Sequence, residues 1–338
     1  MENKEIIVSA PGKITLFGEH AVVYGEPAIV ASIDKRVYVS IKLRNDNLIK
    51  ISALDLQVPG IALTFEEDGE LTLETDYGKV IKAVSYIKKA IELTSNYIGD
   101  YKGAHIIVKS TMPVGAGLGT SAAVAIATIK AYSLALGYDL DNKEVAKIGY
   151  TTEKEVQGSA SPMDTSIATY GGLLLINPRS EEIISKLNVK IDLPFVIGYV
   201  TREYLTAQLV AYVREMRNKI PHIINPIIKT IGDIVKKAEE AFYKNDLNEI
   251  GYLMNINHGL LDALGVSTKK LNDMVYAARS AGALGSKLTG AGGGGCIIAL
   301  APGKITEVST AIKIVGGQVI ETELSYKGVK KEEKKKFI

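Results

Sequence analysis

The stretch PVGAGLGTSAA, residues 113–123, sets Gly115, Gly117 and Gly119 at alternate positions and follows them with Thr120 and Ser121. Glycine frees a backbone to take positive φ and to approach a ligand closely. The apolar run AVAIATIKAYSLAL reads as a helix that starts at the two hydroxyl residues. A glycine loop opening a helix aims unpaired N–H groups and the positive end of the helix dipole at one place, and a phosphate suits it. The G-x-x-x-x-G-K-[ST] order of a Walker A motif is absent, and the third glycine is misplaced for a dinucleotide fingerprint.

Two more stretches stand out. APGKITLFGEHAVVYG, residues 10–25, places Lys13 after Pro11-Gly12 and the pair Glu19-His20 after Gly18. Taken alone, these charged residues after tight turns read as surface decoration. KLTGAGGGGC, residues 287–296, holds the unbroken glycine run 292–295 between β-type segments. Such a run costs conformational entropy on folding, so close contact with a ligand or a neighbouring loop must compensate.

The elements that must position these stretches are short strands first. EIIVSA, AIVASI, RVYVSIKL and AHIIVKS read as strands, and KVIKAVSYIKKAIELTSNYI has helical spacing. NKEVAKIGYTTEKEVQG reads as a helix stopped by Gly158, with Glu153 on a solvated face beside Lys154 and Glu155. SASPMDTSIATYGG reads as a polar, proline-containing turn before the strand LLLIN. From about residue 180 the texture changes: the strand PFVIGYV precedes a mostly helical stretch to about residue 280, then the second glycine loop, a strand, a helix and a last strand. This segregation favours an α+β fold over a doubly wound sheet.

Bulk properties set the class. With 338 residues, 46% of them hydrophobic, the chain can bury a sizeable core as two domains or one large one. A net charge of +2 gives no ground for nucleic-acid binding. The local basic run KKEEKKK near the C-terminus reads as a frayed, solvated tail. The single Cys296 precedes IIAL and reads as a small buried thiol rather than a nucleophile. His105, His222 and His258 read as structural or exposed. MENKEIIVSA lacks an apolar core of signal-peptide length, and Lys130 interrupts the most apolar helix, so a cytoplasmic protein without a membrane span is expected. Plentiful Lys, Ile and Glu with scarce Gln and Cys are compatible with growth at high temperature.

Together, and in this order along the chain, the three stretches resemble the GHMP kinases, and within that superfamily the mevalonate kinase branch. The resemblance covers essentially the whole chain. It implies a two-lobed fold with the active site in the cleft, an N-terminal domain over 1–185 and a C-terminal domain over 186–338. It implies ATP as co-substrate, with phosphates bound by Pro113, Gly115, Ala116, Gly117, Leu118, Gly119, Thr120 and Ser121, and Mg²⁺ held by Ser121 and Glu153. Asp164 matches the family's catalytic aspartate and Lys13 the lysine beside it. The acceptor pocket, for mevalonate, is implied to hold Lys13, Glu19, His20, Asp164, Arg202, Tyr204 and Thr206. The second glycine loop contributes Gly290, Ala291, Gly292 and Gly293.

Two departures bear on the acceptor. Tyr204 stands where the family usually has Arg or Lys, which leaves Arg202 to partner a carboxylate. Ala160-Ser161-Pro162-Met163 precede Asp164 in place of the commoner P-S-G-x-D. The expected reaction is transfer of the ATP γ-phosphate to the 5-hydroxyl of mevalonate, an isoprenoid-pathway step. The alternatives are a related kinase acting on homoserine, a sugar, phosphomevalonate or the 3-hydroxyl of mevalonate, or a non-catalytic binding protein. A homodimer is one assembly open to it. The helix after Asp76 and the strands before it are candidates for the adenine pocket.

Overall fold

The computed structural model describes residues 5–53, 62–65, 71–74, 82–112, 116–158, 161–204 and 206–334. Strand β1 (Ile6–Phe17) is buried at every position. Such a strand lacks the alternation of a half-solvated one because both its faces are covered. It pairs antiparallel with β2 (Ala28–Leu43), and the register shifts between Pro11 and Gly12, where the missing N–H of proline is tolerated.

The N-terminal lobe continues with β3 (Ile49–Ala53), β4 (Ala62–Phe65), β5 (Leu71–Glu74), α1 (Lys82–Ile98), β6 (Ala104–Ser110), α2 (Thr120–Leu136), α3 (Asn142–Gln157), α4 (Pro162–Tyr170), β7 (Leu173–Ile176) and β8 (Ile184–Lys186). The C-terminal lobe holds β9 (Phe195–Val200), α5 (Thr206–Lys219), α6 (Pro221–Lys244), α7 (Leu247–Ala263), α8 (Lys269–Ser280), β10 (Gly285–Thr289), β11 (Gly295–Leu300), α9 (Ile305–Ile314) and β12 (Gln318–Ile320). The larger sheet runs β1-β2-β6-β3-β4-β5, with β7 on β2 and β8 on β7; the smaller is β10-β11-β9-β12, all antiparallel. The sheets and helices are segregated as an α+β fold requires.

Helix α2 is the centre of the first lobe. Its residues from Ala122 to Ile129 are all buried, because β1 and β2 cover one side and α1, α3 and α4 the others. Gly137 in the left-handed conformation stops it. A capping box between Asp141 and Glu144 starts α3, and Gly158 ends it. In the second lobe, α6 buries Ile224, Ile228, Ile231, Val235 and Phe242 at helical spacing. Each such side chain contributes about 1.5–3 kcal/mol of apolar burial. The Phe17 and Phe242 rings meet edge to face at 6.3 Å and join the lobes.

Two expectations are corrected. SASPMDTSIATYGG is not a turn throughout: Ser161 caps α4 by accepting from the Met163 N–H, and Pro162 takes the first helical position, where its missing donor costs nothing. The basic tail is not frayed up to Lys334. Strand β13 (Lys330–Lys331) pairs with β1, Ser9 Oγ donates to Glu332 at 2.7 Å, and the Arg36 guanidinium donates to the carbonyls of Lys327 and Gly328 at 3.0 and 2.6 Å. The chain thus returns from the second lobe to edge the first. His222 is exposed at the start of α6, His105 is half-buried on β6, and Cys296 is buried, its thiol pushed up to about 12 by burial.

Candidate active site

Helix α2 begins at Thr120, and its N-cap Gly119 has φ 74° and offers no side-chain cap. The first N–H groups of this helix therefore keep their donors for something outside the helix. Leu118 is buried and its carbonyl accepts from the Lys13 N–H at 2.7 Å, so the loop is bolted to β1. Pro113 and Gly115 of the same expected phosphate loop lie outside the described residues.

The Lys13 side chain emerges from β1 beneath that loop. Its Nζ lies 2.8 Å from Asp164 Oδ1 and 3.4 Å from Thr15 Oγ1. Asp164 sits in the first turn of α4, where the helix dipole favours a carboxylate. Its side chain is 30% exposed against 10% for Lys13, so the pair faces an opening.

Glu153 is not on a solvated face. It is 5% exposed, and burial followed by the neighbouring Asp164 pushes its carboxyl up to about 8, against the pull of Lys13. Burial disfavours a charge that has no counter-ion, and a like charge nearby adds to this. Its Oε2 is buried without a hydrogen-bond partner. The periodicity misled because residues 154 and 155 are exposed while 152 and 153 turn inward against α2 and α4.

The turn after β1 is held by the other lobe. Glu19 forms a buried ion pair with Lys287 of β10, and Lys287 Nζ also donates to the Leu288 carbonyl at 2.7 Å. Burial raises the Glu19 carboxyl and lowers the Lys287 ammonium, and each partner opposes the shift of the other. His20 takes φ 58°, a left-handed conformation that costs a residue with a Cβ of order 1–3 kcal/mol and persists only where its surroundings enforce it. Its ring does so: Nε2 lies 2.9 Å from the Ala291 carbonyl, which can only accept. Nε2 therefore carries the proton. Burial lowers the His20 value, so the neutral ring presents Nδ1 as an acceptor.

The second glycine loop serves packing. Gly292, Gly293, Gly294 and Gly295 all have positive φ, and a Cβ on them would run into Val266, Leu209, Thr201 and Arg202 respectively. Contacts with neighbouring segments of the chain account for these four glycines. Arg202 lies between the two glycine loops: a Cβ on Gly117 would strike its guanidinium, and one on Gly295 would stand 3.1 Å from its Nε. Arg202 donates to Thr206 Oγ1 at 3.0 Å while its Nε is buried without a partner. Tyr204 is 51% exposed and rests on Gly293.

The sequence-predicted residues thus fall into three adjoining groups: Lys13, Glu153 and Asp164 around the start of α2 with Ser121; Glu19 and His20 against Ala291; and Arg202, Tyr204 and Thr206 against both glycine loops. His258 lies apart from these groups. Its Nε2 meets Asn272 Oδ1 at 3.1 Å, and burial pushes it down to about 4, as befits a packed ring. Lys287, Tyr86 and Gln157 were missed. The signal for Lys287 was a lone lysine in a short strand otherwise built for burial.

Comparison with known proteins identifies the family. Residues 85–172 match the family model for the GHMP kinases N terminal domain, residues 238–317 that for the GHMP kinases C terminal region, and residues 1–43 a galactokinase galactose-binding signature. The mevalonate kinase of Pyrococcus furiosus is 48% identical over 336 residues, covering 97% of this chain and 99% of that one. That of Thermococcus onnurineus is 49% identical over 334 residues, covering 97% and 98%. The crystal structure of Methanococcus jannaschii mevalonate kinase superposes with a TM-score of 0.77 at 32% identity, covering 96% of this chain and 100% of that one. That of L. major mevalonate kinase in complex with R-mevalonate gives 0.80 at 27% identity, covering 95% and 96%. With both lobes matched and nearly the whole length shared, the chain belongs to the GHMP kinase family, alongside archaeal mevalonate kinases almost half identical to it.

Proposed function

We propose that this protein is an ATP-dependent mevalonate kinase that transfers the γ-phosphate to the 5-hydroxyl of (R)-mevalonate. The observation that carries the reading is the Lys13–Asp164 pair at 2.8 Å beneath the uncapped start of α2, in a chain 48% identical to mevalonate kinases over nearly its whole length. Transfer to an alcohol needs the hydroxyl proton removed as the O–P bond forms. Asp164 accepts that proton, and Lys13 orients the carboxylate and sets positive charge beside the attacking oxygen. The backbone N–H groups from Ala116 to Ser121 hold the phosphate oxygens, which places the terminal phosphorus in line with the acceptor.

Mg²⁺ fits Ser121 and Glu153. Among the described residues no group of three His, Cys, Asp or Glu side chains could hold a metal ion, so a cation here would be held by these two residues with the bound nucleotide. The unpartnered, buried Oε2 of Glu153 is the atom that suits it. When bound, the cation neutralises charge on the transferring phosphoryl group.

The acceptor lies between His20 and Arg202. The lone pair on His20 Nδ1 accepts a hydrogen bond from a hydroxyl of mevalonate, and the Arg202 guanidinium binds its carboxylate, with Thr206 fixing the arginine. Tyr204 closes the exposed edge. A cytoplasmic location suits two water-soluble substrates.

Purified protein incubated with Mg²⁺-ATP and, separately, (R)-mevalonate, galactose, homoserine or phosphomevalonate tests the reading. Galactose is in the panel because the galactose-binding signature spans Lys13, Glu19 and His20. Expected is a kcat/KM for mevalonate at least a hundredfold above the others, with the phosphate on C5 by phosphorus–proton NMR. A higher value for any other acceptor, or phosphate on C3, overturns it.

A further inference from the structure

Tyr86 stands on α1, outside every stretch that pointed to the site, yet its side chain ends there. It is 2% exposed. Its hydroxyl accepts from Gln157 Nε2. Gln157, the last residue of α3, lies one turn beyond Glu153 and donates to Glu153 Oε1 at 3.3 Å.

The donors and acceptors of this chain can be counted. A glutamine amide has two N–H groups, and here one goes to the phenol oxygen and one to the carboxylate. Glu153 keeps Oε2, buried and unpartnered. The network therefore ties α1 to the end of α3 and leaves one open oxygen on Glu153, beside Asp164 and Lys13. Open, pre-oriented oxygens are what a hard divalent cation takes. Partners one layer behind a ligand set its orientation and affinity.

We propose that Tyr86 and Gln157 are positioning residues for the divalent cation: Tyr86 holds Gln157, and Gln157 fixes the Glu153 carboxyl in one arrangement, with Oε2 free to bind. This rests on the reading of Ser121 and Glu153 as the cation's ligands. Neither Tyr86 nor Gln157 touches the reacting atoms. A tyrosine kept only for packing would be replaced by phenylalanine without consequence for the metal.

The test is calorimetric and needs no turnover. Affinity for a non-hydrolysable ATP analogue is measured with Mn²⁺ and again in EDTA, and the ratio isolates the metal's contribution. Tyr86→Phe and Gln157→Leu are each expected to lower that ratio about five- to tenfold, the scale of one buried hydrogen bond. Metal-free nucleotide affinity and the KM for mevalonate should stay within twofold. Glu153→Gln separates the two readings. If Glu153→Gln lowers the ratio while Tyr86→Phe and Gln157→Leu hold it within twofold, the positioning role is overturned and the cation site stands. If Glu153→Gln leaves the ratio intact, both fall. An equal loss of metal-free affinity, or a lower melting temperature with the ratio intact, also overturns the positioning role.

Discussion

Lys287→Met removes a cation and keeps most of the volume. The wild-type side chains of Lys287 and Glu19 are 0% and 1% exposed, so solvent cannot substitute for either partner. One Glu19 oxygen already lacks a bond, and the variant strips the ion pair from the other. Breaking a buried pair at one side costs about 3–5 kcal/mol. An exposed helix pair such as Lys229–Asp233, by contrast, is screened by solvent and contributes far less. The loss has a pH signature. Burial raises the Glu19 carboxyl, and without Lys287 only its own backbone N–H and the charge of Lys13 oppose that shift. A carboxyl raised in the folded state keeps its proton where the unfolded chain has lost it, so its contribution to stability falls as pH rises. The deficit against wild type should therefore be smaller at pH 5 than at pH 8. The double variant Glu19→Gln/Lys287→Met removes both charges and should recover most of the loss. Urea unfolding of all four proteins at both pH values is the assay. A single-variant loss below about 1 kcal/mol, or a double variant as unstable as the sum of the singles, refutes the reasoning.

Three further outcomes are expected. Asp164→Asn should lower kcat by about 10²–10⁴-fold with nucleotide affinity within twofold by calorimetry, since it removes only the proton acceptor; equal loss of both would mark a folding defect. His20→Ala should raise the KM for mevalonate about tenfold, the scale of one well-made hydrogen bond to substrate, with a smaller effect on kcat; an unchanged KM removes His20 from the pocket. Glu153, raised to about 8, must lose its proton to take a cation, so the Mg²⁺ concentration for half-maximal activity should climb as pH falls from 8 to 6, and a flat profile would refute this.

The first glycine loop was legible because its job is local: alternating glycines before hydroxyl residues describe a backbone, and backbone conformation is what local sequence specifies. The start of α2 at Thr120, the end of α3 at Gly158 and the packed state of Cys296 and His258 follow for the same reason or from ordinary burial. Glu153 was misread because nothing within α3 says that α2 and α4 cover it. SPMD was misread because Pro162 breaks helices in their interior but starts them at the first position. No local pattern names the partner of Lys287 or Tyr86: one meets Glu19 across 268 residues of chain, the other Gln157 across 71. The side chains of β4 and β5, among the strands offered for adenine, lie outside the described residues.

The arrangement of β1 explains why these distant contacts matter for the chemistry. Side chains alternate along a strand, so Lys13 and Thr15 share a face, and the bulge between Thr15 and Phe17 re-aims the strand toward the other lobe. Thr15 exchanges two hydrogen bonds with Thr289, 2.8 and 2.9 Å, Phe17 meets Phe242, and the turn beyond holds Glu19 on Lys287 and His20 on Ala291. The strand that carries the lysine beside Asp164 is therefore the strand on which the second lobe docks. A shift of that lobe would move Thr15, the neighbour of Lys13 on the same face, and with it the cation on Asp164. Buried contacts of this kind repack between discrete arrangements rather than stretching smoothly. The seam thus ties the position of the lysine beside Asp164 to the contacts between the lobes, the kind of support that a preorganised site needs.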